Sequence, residues 1–233
     1  MELRFFNKGI IICSWITKGD ICVILAPGIP QYLTKYHPFV QTMIKLGVNL
    51  FIPSYNGTWE SPGKFSIKES VKSIENTINF VRQCSGQELY NKENIKWQQK
   101  KIILIGFSFG ALPALLSKET VDKTILIHPF VNSKIHKKYN GEDLNKTFSF
   151  VKKAYLMAYR LSPSKVINEL NKLHYPLFKN NLKIISGKKD NSIPKEEIDW
   201  LKMKYPNLKH IELDSEHTLN LPMEIYFSLL KDE

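Results

Sequence analysis

Short β-branched runs alternate along the chain with longer stretches in which apolar residues recur every third or fourth position. The runs Leu3 to Phe6, Gly9 to Ile16 and Ile21 to Ala26 are spaced as opening strands joined by short turns. A helix is predicted from about Leu33 to Leu46, and a strand from Val48 to Ile52. Ser66 is placed to cap a long helix in which Ile67, Val71, Ile74, Ile78 and Val81 share one face. The stretch from Gln83 to Gln99 is polar and reads as a surface connection. Further strands are predicted at Lys101 to Ile105, Lys123 to His128, Leu182 to Gly187 and Lys209 to Leu213. Strands alternating with helices in this way predict an α/β fold: a mainly parallel twisted sheet with helices on both faces and a site at the carboxyl ends of the strands.

The long segment between residues 130 and 180 departs from this alternation. Leu144, Phe148, Val151, Tyr155 and Ala158 fall on one helical face, and Phe150, Ala154, Met157 and Leu161 on another. A helix apolar on more than one face is buried on more than one side. The segment is therefore either a lid, with one face on the body and the other roofing a pocket for an apolar group, or an ordinary core helix. A chain of 233 residues suffices for one well-buried core and is too short for a large second domain besides. We expect one domain over residues 1–233, with the lid as an insertion at about 130–180.

The sharpest local signal is Gly106-Phe107-Ser108-Phe109-Gly110, set between the strand at Lys101 and a small-residue helical stretch from Ala111 to Leu116. A turn this sharp forces its central residue into a strained conformation and requires small residues two positions to either side. It lifts the Ser108 hydroxyl above the sheet edge. That hydroxyl is a poor nucleophile at neutral pH unless a base takes its proton and an acid orients the base. Downstream, Asp190 follows the strand ending at Gly187, and His217 follows the strand ending at Leu213. Asp190 is also placed to cap the helix that Pro194 opens. Asp214 is a competing carboxylate that lies close to His217 in sequence.

Serine, then acid, then histidine, each just past the carboxyl end of a predicted strand, resembles the α/β-hydrolase family. The resemblance spans nearly the whole chain. It implies Ser108 as nucleophile, His217 as general base and then acid, and Asp190 as its orienting carboxylate. It also implies an oxyanion hole from the backbone N–H groups of Phe109, after the nucleophile, and of Ile29, in the loop after Ala26. Proline carries no N–H, so Pro27 and Pro30 are excluded as donors. The family's frequent His-Gly pair is Pro27-Gly28 here. Tyr55 and Trp59, in a loop like the family's glycine-rich loop, together with Phe107 and Phe109 suggest an aromatic mouth for substrate.

Composition narrows the classes. No apolar run approaches the roughly 18 residues of a membrane span, and the start of the chain lacks the pattern of a signal peptide. The three cysteines, Cys13, Cys22 and Cys84, read as unpaired residues of a reducing compartment, so a soluble cytoplasmic protein is expected. The net charge of +11 comes from scattered lysines without a basic arm, which argues against a specific nucleic-acid partner and leaves a weak preference for anionic substrates. Histidines, cysteines and acids show no metal spacing, and no cofactor is expected. His128 ends a strand and reads as structural, and His37, His136, His174 and His210 show no partner pattern. The leading expectation is a serine hydrolase cleaving a carboxylic ester or thioester through an acyl-enzyme. A peptidase or amidase, or an acyltransferase, on the same triad is the alternative, as is a non-catalytic binding module that kept the fold.

Overall fold

The computed structural model describes every residue except 141–142, 155–159, 178, 180 and 232–233. Strands β1 (Leu3–Asn7), β2 (Ile10–Trp15), β3 (Ile21–Ala26), β4 (Asn49–Pro53), β7 (Lys101–Phe107), β8 (Lys123–Ile127), β9 (Leu182–Gly187) and β10 (Lys209–Leu213) form one eight-stranded sheet in the order β1-β2-β4-β3-β7-β8-β9-β10. β2 pairs antiparallel with β1 and β4, and every other neighbour pair is parallel. Register brings the carboxyl ends level: Ala26 lies beside Gly106, Phe107 beside Ile127, and Gly187 beside Leu213. The loops that follow β3, β7, β8, β9 and β10 therefore gather at one rim.

The sheet is covered on both faces because its central strands are apolar at most positions and buried on both sides. Ile24, Leu104, Leu126 and Ile184 pack into one core, and their neighbours Val23, Ile103, Ile125 and Ile185 into the other. This is the alternation that the pleat imposes on a strand buried on both sides. The first core takes helices α2 (Ile67–Val81) and α3 (Ala111–Leu116), with α6 (Pro163–Leu170) and α7 (Lys195–Lys204). The second takes α1 (Pro38–Lys45) through Phe39, Val40 and Met43, and α8 (Met223–Leu230) through Tyr226 and Leu229. Lys101 and Lys123, which open β7 and β8, donate from their ammonium groups to the carbonyls of Leu230 and Leu229. Cations thus sit at the C-terminal end of α8, where the helix dipole favours them.

Three expectations are corrected. α1 begins at Pro38 and not near Leu33: proline fits the first helical position but not an interior one, and the His37 side chain accepts from Phe39 N. The polar stretch after α2 contains a small hairpin of β5 (Ser85–Gln87) and β6 (Asn94–Lys96). It is anchored by buried Trp97, whose ring packs within 5.2 Å of Phe51 and Phe80 and whose Nε1–H donates to Val81 O. In the 130–180 segment, helices α4 (Ser133–Asn140) and α5 (Leu144–Ala154) form, but α5 buries one face only. Phe148 and Val151 are buried while Phe150 is 64% exposed. Tyr155, Met157 and Ala158 lie outside the described residues, and Leu161 is buried beside Phe65 in a bridge after α5. Among the described residues no helix is long and apolar enough to cross a membrane.

Candidate active site

The turn after β7 has the strain its sequence predicts. Ser108 sits at φ +51, in the left-handed region that side chains with a Cβ rarely adopt. The flanking glycines permit it. A Cβ on Gly106 would lie 2.6 Å from Ala111 Cα, and one on Gly110 would collide with the Ala26 carbonyl. The loop after β3 presses on the serine from the other side, since a Cβ on Gly28 would stand 3.3 Å from Ser108 Cβ. Ser108 O accepts from Phe130 N at 3.1 Å, which ties the turn to the loop after β8.

Asp190 is brought to the same rim by the loop after β9. Its Oδ1 accepts from Ser192 N at 2.8 Å and Ile193 N at 3.1 Å, a local turn that fixes the carboxylate plane. Asp190 does not take the helix-capping role weighed for it: Pro194 holds the N-cap position of α7, which has no side-chain cap hydrogen bond. Asp190 Oδ2 meets His217 Nδ1 at 2.9 Å. His217 is held against Phe107, the residue before Ser108, with ring centroids 5.1 Å apart. The loops carrying the acid and the histidine are stitched together by Lys188 N to Leu213 O at 2.8 Å and Lys189 N to Ser215 O at 3.0 Å. Asp214, the competing carboxylate, points to solvent and pairs with exposed Lys189.

His128 occupies a place its reading as a structural residue did not anticipate. It is fully buried, and its Nδ1 lies 2.7 Å from the same Asp190 Oδ2. Burial by itself would raise the Asp190 carboxyl, but the hydrogen bonds from His128 and His217 outweigh it and hold the group well below the ordinary carboxylate range. The three side chains bring one potential ligand atom each to within 4.8 Å of one another. One Asp190 oxygen already serves both ring nitrogens at hydrogen-bond length.

A cavity of about 130 Å³ opens over Ser108. Ile29 and Phe109 line it beside the serine, Phe130 and Ile193 form its walls, and Leu144, Thr147, Phe148 and Val151 of α5 close it from above. His136 also lines it. This imidazole is buried, and its Nδ1 lies 3.1 Å from Oε1 of Glu197, itself fully buried. Glu197 Oε2 accepts from Val131 N at 2.6 Å and Asn132 N at 2.9 Å. Larger depressions of about 450 Å³ beside Ser117–Val121 and about 750 Å³ between α2 and α6 contain none of Ser108, Asp190 or His217.

The suggested aromatic mouth is built differently. Tyr55 is buried and donates from its hydroxyl to Pro27 O at 2.8 Å. Trp59 donates from Nε1 to Gln31 O at 2.9 Å and packs on Tyr32. Both brace the loop that carries Ile29, and neither lines the cavity. Phe107 is buried against the two histidines. Of the suggested aromatics, Phe109 alone faces the cavity.

No protein-family model matches the sequence, and no curated protein matches it. Solved structures do match over nearly the whole chain. The esterase EaEST from Exiguobacterium antarcticum is 15% identical with full coverage of both chains and a TM-score of 0.66. Est1E from Butyrivibrio proteoclasticus, in a structure with ferulic acid bound, is 14% identical over 98% of this chain and 96% of its own, with a TM-score of 0.68. XC6422 from Xanthomonas campestris, described as an α/β serine hydrolase without lid, is 14% identical over 98% and 91%, with a TM-score of 0.59. The chain has the α/β-hydrolase fold.

Proposed function

We propose that the chain is a serine hydrolase of the esterase type, acting on carboxylic esters or thioesters of short acyl groups. The observation that carries this reading is the Asp190–His217 hydrogen bond of 2.9 Å beside a serine held at φ +51 on the same rim. In the proposed reaction Ser108 Oγ attacks the acyl carbonyl as His217 Nε2 takes its proton. The carbonyl oxygen becomes an oxyanion, held by the backbone N–H groups of Ile29 and Phe109. Collapse breaks the bond to the leaving oxygen or sulfur, which receives the proton from His217. Water then repeats the sequence on the acyl-enzyme, with His217 as base and then acid. Asp190, ionised throughout, keeps the imidazole proton on Nδ1. No cofactor is needed for these steps.

Substrate size follows from the cavity. At about 130 Å³ it is smaller than the roughly 150 Å³ that accommodates a benzene ring, which favours a short alkyl acyl group. In this reading α4 and α5 are a lid inserted in a single domain, with α5 as the roof over Ser108. The free cysteines support a reducing, cytoplasmic setting.

A fluorophosphonate probe tests the reading. It should label the wild-type protein, and Ser108→Ala should abolish labelling without loss of fold. A folded, unlabelled wild type would identify a binding module instead. p-Nitrophenyl esters of increasing chain length, run beside acyl thioesters and aminoacyl amides, should show highest kcat/KM at the short esters. Preference for the amides would favour a peptidase or amidase.

A further inference from the structure

We propose that His128 is a positioning residue of this site: a second imidazole, fixed as its Nδ1–H tautomer, that clamps the Asp190 carboxylate and weakens its hold on a proton at His217. The kinetic part of its test rests on the hydrolase reading above, and the spectroscopic part does not.

The fold prepares a place for this ring. His128 follows β8, next to the nucleophile strand, at φ +46. Its N–H donates to Ile185 O at 2.8 Å, which fixes the backbone despite the strain. Gly187 on β9 leaves the necessary room, since a Cβ there would stand 2.8 Å from His128 Cε1. Phe107 meets the ring edge-on, and the His217 ring lies 5.2 Å away.

The tautomer follows from the partners. An ionised carboxylate only accepts, so both Nδ1 atoms must donate to Asp190 Oδ2. His128 makes the shorter bond of the two, 2.7 Å against 2.9 Å. With Ser192 and Ile193 on Oδ1, Asp190 is held by four donors and cannot rotate. His128 Nε2 is buried with no hydrogen-bond partner among the described residues, so protonating it would bury an unanswered N–H. His128 therefore acts as a fixed neutral dipole that draws on the negative charge otherwise available to His217. The titratable groups facing it directly are Asp190 and His217. On the cleft it shares with Asp190, exposed Lys188, Lys195 and Lys202 are offset by exposed Asp199 and Glu212, and His210 bonds Ser186 Oγ. Solvent screens these outer charges.

The test compares wild type, His128→Phe and His128→Asn. Phenylalanine keeps the ring and loses the donor, while asparagine returns an N–H near the position of Nδ1. The acid limb of the kcat/KM profile for p-nitrophenyl acetate should move up by about 0.5 to 1 pH unit in His128→Phe and return toward wild type in His128→Asn. The midpoint of the His217 ring ¹⁵N titration should move in parallel. An unmoved limb and midpoint in folded His128→Phe would overturn the proposal, as would a shift that His128→Asn does not reverse. If His128→Phe does not fold, the wild-type ¹⁵N spectrum decides: His128 must stay neutral and Nδ1-protonated across the limb, and an Nε2-protonated ring refutes the role. Should Ser108→Ala hydrolyse esters at the wild-type rate, the hydrolase reading fails, and the ¹⁵N titrations still judge His128.

Discussion

The floor and the roof of the cavity are held by different means. Under Ser108, backbone meets backbone: Gly106 against Ala111, and Gly110 against the Ala26 carbonyl. Above it, α5 contributes side chains from one apolar face, with Phe148 and Val151 inward and Phe150 in solvent. Contacts through main chain fix position to a fraction of an ångström, because no rotamer change relieves a clash. Contacts through side chains fix only volume. On the proposed reading, reaction chemistry belongs to the floor, where geometry is rigid, and choice of acyl group to the roof, where a substitution can be absorbed.

Four substitutions and one titration probe that contrast. The largest effect is expected from Asp190→Asn, which takes the acceptor from two imidazoles: kcat for a short p-nitrophenyl ester should fall about 10³- to 10⁴-fold, with the fold retained by circular dichroism. Gly110→Val should break the floor, costing about 3 kcal/mol in urea unfolding because its side chain would meet the Ala26 and Pro27 carbonyls, main-chain groups that no rotamer change moves aside. A wild-type midpoint would show that the floor yields as the roof does. Phe148→Ala should move the optimum acyl chain length upward while Ser108 remains reactive to the probe, and exposed Phe150→Ser should change stability by less than about 0.5 kcal/mol. Smallest is the acid sensitivity carried by Asp190. Its folded-state pKa is lowered, so its stabilising contribution is complete above the ordinary carboxylate value of about 4 and is lost as pH falls below it. Unfolding midpoints between pH 5 and 2 should decline less steeply in Asp190→Asn.

What could be read in advance was what is local. The strand, strained turn and helix around Ser108 are written in adjacent residues, and the steric need for glycine at 106 and 110 makes the pattern specific. Asp190 and His217 were legible as candidates because each follows a strand whose apolar run marks its end. His128 also ends a strand, but its partner stands 62 positions away and the hydrogen bond between them depends on Gly187 leaving space. That His128 lies one strand over from Ser108 was the available signal. The pairing of His136 with Glu197, 61 positions apart, left no trace of its own, because a buried carboxylate in the first turn of a helix looks in sequence like an ordinary exposed one. Tyr55 and Trp59 were legible as neighbours of the site, but not the direction their hydroxyl and indole N–H would take. In α5, Phe150 gave an apolar period that solvent, not protein, satisfies.

The order of strands in the sheet has a consequence for biosynthesis. Ile21 of β3 pairs with Lys101 of β7, and the sheet's middle therefore stays open until the ribosome has released most of the first half of the chain. The loop that carries His217 follows β10 and emerges after every strand of the sheet. The nascent chain consequently passes through an interval in which β3 is paired on its β4 side alone, and Asp190 can meet His217 only after all eight strands have been made.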